Sequence, residues 1–169
     1  MRRAFAILLL IAVAVLFIAS RETPLPRGVV ADRIVVDKSD RTLSLISGSR
    51  VLKTYHVTFG RQPEGRKEFE GDDRTPEGNY VIDRRNVNSK YHLALHVSYP
   101  NADDLLRARA AGRSAGGDVM IHGMRRGFGW IGRLHRVVNW THGCIAVTDA
   151  EVDEIGRAVR DGTPIEIHP

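Results

Sequence analysis

From Asp32 onward the chain is written as short, closely spaced strands, and that rhythm limits the fold more than any other feature. Arg33-Ile34-Val35-Val36-Asp37, Thr42-Leu43-Ser44-Leu45-Ile46 and Val51 to Phe59 are β-branched or alternating runs, parted only by Lys38-Ser39-Asp40 and Ser47-Gly48-Ser49. Connections this short close antiparallel hairpins. Similar runs return at Asn79 to Arg84, Leu93 to Ser98, Asp118 to Ile121, Ile145 to Val147 and Thr163 to His168. Two stretches read as helix. Asn101 is placed to cap a helix over Ala102 to Ala111, stopped by Gly112. Thr148-Asp149-Ala150-Glu151 has the form of a capping box opening a second helix from Asp149 to about Arg160, with Val152, Ile155 and Val159 at helical spacing. The expected fold is mainly β, a sandwich or barrel-like core with two short helices.

Two segments interrupt this rhythm. Gly60 to Gly78 is polar and too long for a hairpin turn, and Thr75-Pro76-Glu77-Gly78 ends it as a turn. Gly123 to Trp140 interleaves Gly127, Gly129 and Gly132 with Phe128, Trp130 and Ile131, which suits a cover over a cleft or ordinary loop packing.

The N-terminus is different in kind. Ala4 to Ala19 is an unbroken run of 16 apolar residues behind Arg2 and Arg3. As a helix it would span about 24 Å, just short of a hydrocarbon core of about 30 Å. Residues 1–20 are expected to be a signal peptide or, with no good small-residue cleavage site, a signal anchor in the cytoplasmic membrane, followed by a linker over residues 21–31. Positive charge stays on the cytoplasmic side, so the domain over residues 32–169 is expected outside the cytoplasm, in the periplasm or cell envelope. The formal charge of +5 shrinks once residues 1–27 are set aside, leaving 21 basic against 19 acidic residues. No basic-aromatic repeat points to nucleic acid.

Cys144 is the only cysteine. A lone cysteine is ordinarily a small buried hydrophobe. Three features favour a nucleophile instead. His122, His135 and His142 precede it within 22 residues, and an imidazole is what activates a thiol near neutral pH. Gly143 permits a tight turn that frees amides to face an oxyanion. The second helix begins a few residues later. His92 and His96 read as packing or surface residues.

Ile121-His122-Gly123, a long spacer and Thr141-His142-Gly143-Cys144 resemble the L,D-transpeptidase catalytic domain, the YkuD-like family of peptidoglycan enzymes, as does Gly71-Asp72-Asp73-Arg74-Thr75-Pro76-Glu77-Gly78. The resemblance covers about residues 32 to 168. It implies a β-rich fold, Cys144 as nucleophile, His122 as base, and the loop before Gly78 running beside the site. His142 or neighbouring backbone would orient His122, with Thr141, Gly143 and Gly123 supporting it. Two departures stand out: 18 residues separate His122 from Thr141, longer than is common, and Ala146 stands where many members carry Arg or Asn.

The implied chemistry is attack of Cys144 on an L,D-linked peptide bond of a peptidoglycan stem, with the amides around His142 to Cys144 holding the oxyanion. The resulting thioester passes to an amine, giving a cross-link, or to water, giving carboxypeptidase or amidase action; the motif does not choose between them. Arg125, Arg126, Arg133 and Arg136 are candidates for substrate carboxylates. No cofactor is called for. The competing readings are a zinc site of Cys144 with His122, His135 or His142, whose spacing matches no usual ligand pattern, and a non-catalytic wall-binding β-domain.

Overall fold

The computed structural model describes residues 23–169. The expected membrane segment, residues 1–20, lies outside the described residues. Among those described, no helix is long and apolar enough to cross a membrane.

The strands are β1 (Arg33–Asp37), β2 (Thr42–Ser47), β3 (Arg50–His56), β4 (Gly78–Ser89), β5 (His92–Val97), β6 (Met120–His122), β7 (Ile145–Ala146) and β8 (Pro164–His168). The helices are α1 (Ala102–Ala110) and α2 (Asp149–Ala158), and Gly129–Val137 forms a kinked 3₁₀ stretch. The strands make one sheet in the order β3-β2-β1-β8-β4-β5-β6-β7. Short turns make β1-β2-β3 and β4-β5 antiparallel hairpins, as the spacing requires. The C-terminal β8 inserts in the middle, parallel to β1 and antiparallel to β4. The chain just beyond β3 meets the far edge of the sheet: Thr58 and Ala146 exchange both backbone hydrogen bonds, at 3.0 and 2.8 Å. The sheet therefore curls until its ends touch, a barrel-like closure that covers edges otherwise open to stray pairing.

Alternation builds the interior. Ile34, Val36, Leu43, Leu45, Ile82, Ile121, Ile145 and Ile165 are all inaccessible to solvent, and Val152 and Ile155 bring the apolar face of α2 onto β5 and β6. Both helix starts are capped as predicted. Asn101 and Asp104 bond each other's backbone amides, and Tyr80 on β4 donates to Asp104 at 2.9 Å, tying α1 to the sheet. Thr148 and Glu151 form the reciprocal box of α2. His96 pairs with Asp83 and His92 with Asp153.

Two boundaries differ from expectation for physical reasons. β4 continues five residues past Arg84 through polar Arg85 to Ser89, where no apolar alternation marks a strand; pairing of Arg85, Asn86 and Ser89 with β5 holds it extended. β3 stops at His56 rather than Phe59, because residues 57–59 leave β2 to reach β7. The stretch read as a linker is laid along α2 at two points: Leu25 N–H donates to Glu154 at 2.6 Å, and buried Ala31 donates to the Ala158 carbonyl at 2.8 Å.

Ile165 lies at the centre of the closed sheet, between Ile34 and Tyr80. Ile165→Ala is expected to lower unfolding stability by about 2–5 kcal/mol through lost burial and an unfilled cavity, read as a fall in urea midpoint at unchanged slope.

Candidate active site

β6 and β7 are parallel neighbours, with Ile121 opposite Ile145 and His122 opposite Ala146. Parallel strands need a crossover of a dozen or more residues, which is why so long a spacer separates the two motifs. Ile121 and Ile145 face the core, so alternation sends Met120 and His122 on one strand, and Cys144 with Ala146 on the other, to the opposite face. Met120, His122 and Cys144 line one cleft of about 840 Å³ with Tyr91, Trp140 and Thr141.

His122 is 3% exposed. Its Nδ1 lies 2.7 Å from the Gly123 carbonyl, which can only accept, so Nδ1 carries the proton and Nε2 keeps a lone pair. Tyr91 stacks at 4.5 Å between centroids and Trp140 meets the ring edge-on at 5.6 Å. Burial lowers the imidazole pKa, opposed only in part by the Gly123 carbonyl, so the ring is neutral at pH 7. Gly123 supports through its carbonyl; its own N–H is used by Leu93 at 3.2 Å. It must be glycine, since a Cβ would sit 2.6 Å from Asp149 Oδ1, the carboxylate that also accepts from Met124 N–H at 2.7 Å.

Cys144 is partly buried, its Sγ 3.6 Å from the Asp118 carbonyl. Burial raises the thiol pKa; the Met120 amide and the Lys67 ammonium oppose this, while Asp118 adds to it. A thiol pushed up facing an imidazole pushed down is a neutral pair. The free site therefore holds its proton on sulfur.

The loop before Cys144 is fastened by Thr141, whose hydroxyl donates to the Cys144 carbonyl at 2.7 Å and accepts from Gly143 N–H at 3.2 Å. Of the amides expected to face an oxyanion, that of Gly143 is thus already used. Those of His142 and Cys144 have no acceptor among the described residues. Gly143 has φ 124°, and a Cβ there would lie 2.6 Å from the Arg74 carbonyl. The Gly60–Gly78 loop therefore crosses directly over the cysteine turn. Below it, Lys67 is buried against Asp72 at 2.7 Å. His142 points outward at the rim, 72% exposed and paired with Asp73 at 2.7 Å, and it is the Gly123 carbonyl that orients His122.

The four spacer arginines separate. Arg125 lines the cleft. Arg126 donates to the Ser89 carbonyl at 2.9 Å, and Arg133 is exposed away from the cleft lining. Arg136 is bound by both oxygens of Glu151, at 2.5 and 2.6 Å, and secures the 3₁₀ stretch to α2. Arg61, Arg84 and Lys90 share the cleft with Arg125, and sequence reasoning missed all three, together with Tyr91 and Trp140. Only Trp140, adjacent to the motif, carried a local signal. Ala146 lies on the same face as His122 but is inaccessible to solvent, its backbone paired with Thr58, and it is absent from the cleft lining. Among the described residues, no group of three His, Cys, Asp or Glu side chains converges for a metal: His135 is buried beside Trp140 and His142 is on the rim.

Two pH responses follow from these environments. Alkylation of Cys144 by iodoacetamide in the free protein is expected to keep rising above about pH 9, where an ordinary thiol levels off; a plateau below pH 7 would indicate a preformed ion pair. His135 is buried with Nε2 unpartnered, and burial, then Arg136, push its pKa down to about 4 from 6.5. Its folded pKa is depressed, so the unfolded chain takes up the proton first as pH falls. Stability is full above 6.5 and is expected to drop by about 3 kcal/mol towards pH 4, and His135→Gln should flatten that part of a urea-midpoint profile.

Comparisons with known proteins identify the family and the fold. The YkuD family model, the L,D-transpeptidase catalytic domain, matches residues 31–167. YafK of Escherichia coli (strain K12), whose name places it among the L,D-transpeptidases, is 30% identical over 128 residues, covering 72% of this chain and 44% of its own. This chain thus spans less than half the length of that relative. The helical cell shape determining protein Pgp2 of Campylobacter jejuni superposes with a TM-score of 0.62 at 25% identity, over 87% of this chain and 51% of that one. An L,D-transpeptidase from Xylanimonas cellulosilytica shares the fold, with a TM-score of 0.52 at 15% identity over 87% of this chain and 65% of its own. The matched family model, the curled sheet and the paired strands that carry His122 and Cys144 together establish that this chain belongs to the L,D-transpeptidase catalytic domain family.

Proposed function

We propose that this domain is a cell-envelope acyltransferase that acts on peptidoglycan stem peptides through a thioester on Cys144. The observation that carries the reading is the placement of Cys144 and His122 on one face of adjacent strands, in one cleft, with the imidazole tautomer fixed by Gly123. His122 Nε2 takes the thiol proton as Sγ attacks the L,D-peptide carbonyl, and the amides of His142 and Cys144 receive the developing oxyanion. The same imidazole, now protonated, gives its proton to the leaving amine. An acceptor amine then enters, loses a proton to His122 and releases Sγ, forming the cross-link.

Arg61, Arg84, Lys90 and Arg125 outnumber the single acid, Asp118, in the cleft lining, although Arg84 is paired with Asp118 at 3.0 Å and Arg61 with Asp73 at 3.7 Å. Stem peptides carry free carboxylates, and guanidinium groups bind carboxylates in a fork geometry, so the lining fits that substrate class. The second reading keeps the acyl-enzyme and replaces the amine with water, giving carboxypeptidase or amidase activity. Ala146 has only a methyl group and so offers an acceptor no polar contact, which leaves water and amine as alternative acceptors.

Cys144→Ala is expected to abolish acyl-enzyme formation in intact-mass spectra after incubation with a carbapenem or a donor stem peptide, with turnover down by about 10⁴-fold or more. His122→Gln should cost about 10²–10⁴-fold. Because burial lowers the His122 pKa, the acid limb of kcat/KM in the wild type is expected below pH 6.5. Mass spectrometry of muropeptides separates the readings: new cross-links support the transferase, and shortened stems or released attached peptide support the hydrolase. Full turnover by Cys144→Ala would end both.

A further inference from the structure

The 3₁₀ stretch Gly129–Val137 has two unlike faces. Its inner side holds buried His135 and the Arg136 guanidinium, fixed to Glu151, while Arg41 donates to the Arg136 carbonyl at 2.9 Å. Trp130, before the kink at Gly132, is 80% exposed, and after it Leu134 is 71%, Val137 75% and Val138 61% exposed. In a 3₁₀ helix residues i and i+3 eclipse, so Leu134 and Val137 stand together. None of these four lines the cleft. Exposed apolar side chains clustered in this way mark a contact surface.

We infer that this strip rests on the surface of an anionic lipid membrane. Charge is the first argument. No Asp or Glu occurs between Asp118 and Asp149, while Arg125 and Arg126 are exposed there. Of the acids that bound this stretch, Asp149 accepts from the Met124 amide, Glu151 is held by Arg136, and Asp118 is paired with Arg84. A Trp with aliphatic neighbours and surrounding arginines suits the headgroup boundary, where the indole and guanidinium groups stay wet and the aliphatic groups do not.

The second argument is where the chain leaves the described structure. The Thr23 carbonyl accepts from Lys53 at 3.0 Å, and Leu25 N–H is held by Glu154, one turn along α2 from the Glu151 that anchors the strip. Glu151 and Glu154 share a helix face. Thr23 follows the apolar run ending at Ala19 by four residues, which reach at most about 14 Å. A run entering a membrane would therefore hold this side of the domain, and the strip with it, close to the lipid. A glycan strand fits less well, since the four residues offer a sugar only one polar hydrogen, on the indole.

The test uses the full chain reconstituted in vesicles of phosphatidylglycerol and phosphatidylcholine, with bromines placed near the carbonyl end of the acyl chains. Tryptophan emission is expected to be quenched in the wild type and the quenching lost in Trp130→Phe, which leaves only Trp140 in the cleft. Leu134→Glu with Val137→Glu should abolish it too, with muropeptide turnover in detergent unchanged. Quenching that is absent in the wild type, or equal in Trp130→Phe, overturns the inference. So does protection of Trp130 from acrylamide by isolated glycan strands or by self-association, with vesicles giving none.

Discussion

The site depends on β7, a strand of two residues that could not exist alone. It is held on one side by parallel pairing with β6 and on the other by Thr58, arriving from beyond β3 to close the sheet. Backbone pairing from both sides fixes the orientation of Ile145 and Ala146, and with it the direction in which Cys144 leaves the sheet. The placement of Cys144 beside the strand that carries His122 is therefore a consequence of barrel closure. Thr141 completes the restraint by using its single hydroxyl twice, as donor to the Cys144 carbonyl and acceptor from Gly143.

Burial sets the electrostatics of the pair in opposite senses. It penalises thiolate on Cys144 and imidazolium on His122, so both groups are neutral in the free protein. The aromatic walls, Tyr91 against the imidazole face and Trp140 at its edge, are the cause of much of that burial. A resting pair without charge avoids the desolvation cost of an ion pair in a half-enclosed cleft.

The long spacer serves more than one purpose. As the crossover between parallel strands it must be long, and its inner residues are structural: Arg136 grips the capping glutamate of α2, and Asp149, at the first position of that helix, reaches back to Met124. A guanidinium read from sequence as a substrate ligand is, in Arg136, a brace for the helix. The basic groups that do face the cleft come mostly from elsewhere, Arg61 from the segment after β3 and Arg84 and Lys90 from the long hairpin of β4 and β5.

Local chemistry determined much of this protein by itself. Alternating β-branched runs, two capping boxes and the glycine before Cys144 state their structural consequences within a few residues, so strands, helix starts and the nucleophile turn were legible from the chain. The polar end of β4 was not, because only its pairing with β5 makes it a strand, and that end carries much of the cleft wall. Tertiary structure alone decided that Gly123 rather than His142 orients His122, that Asp73 draws His142 to the rim, and that the Arg74 carbonyl closes over Gly143. The first joins neighbours in sequence but is set by how β6 ends in the fold, and the other two join segments about 70 residues apart. Their existence depends on how the sheet curls, which no local pattern encodes.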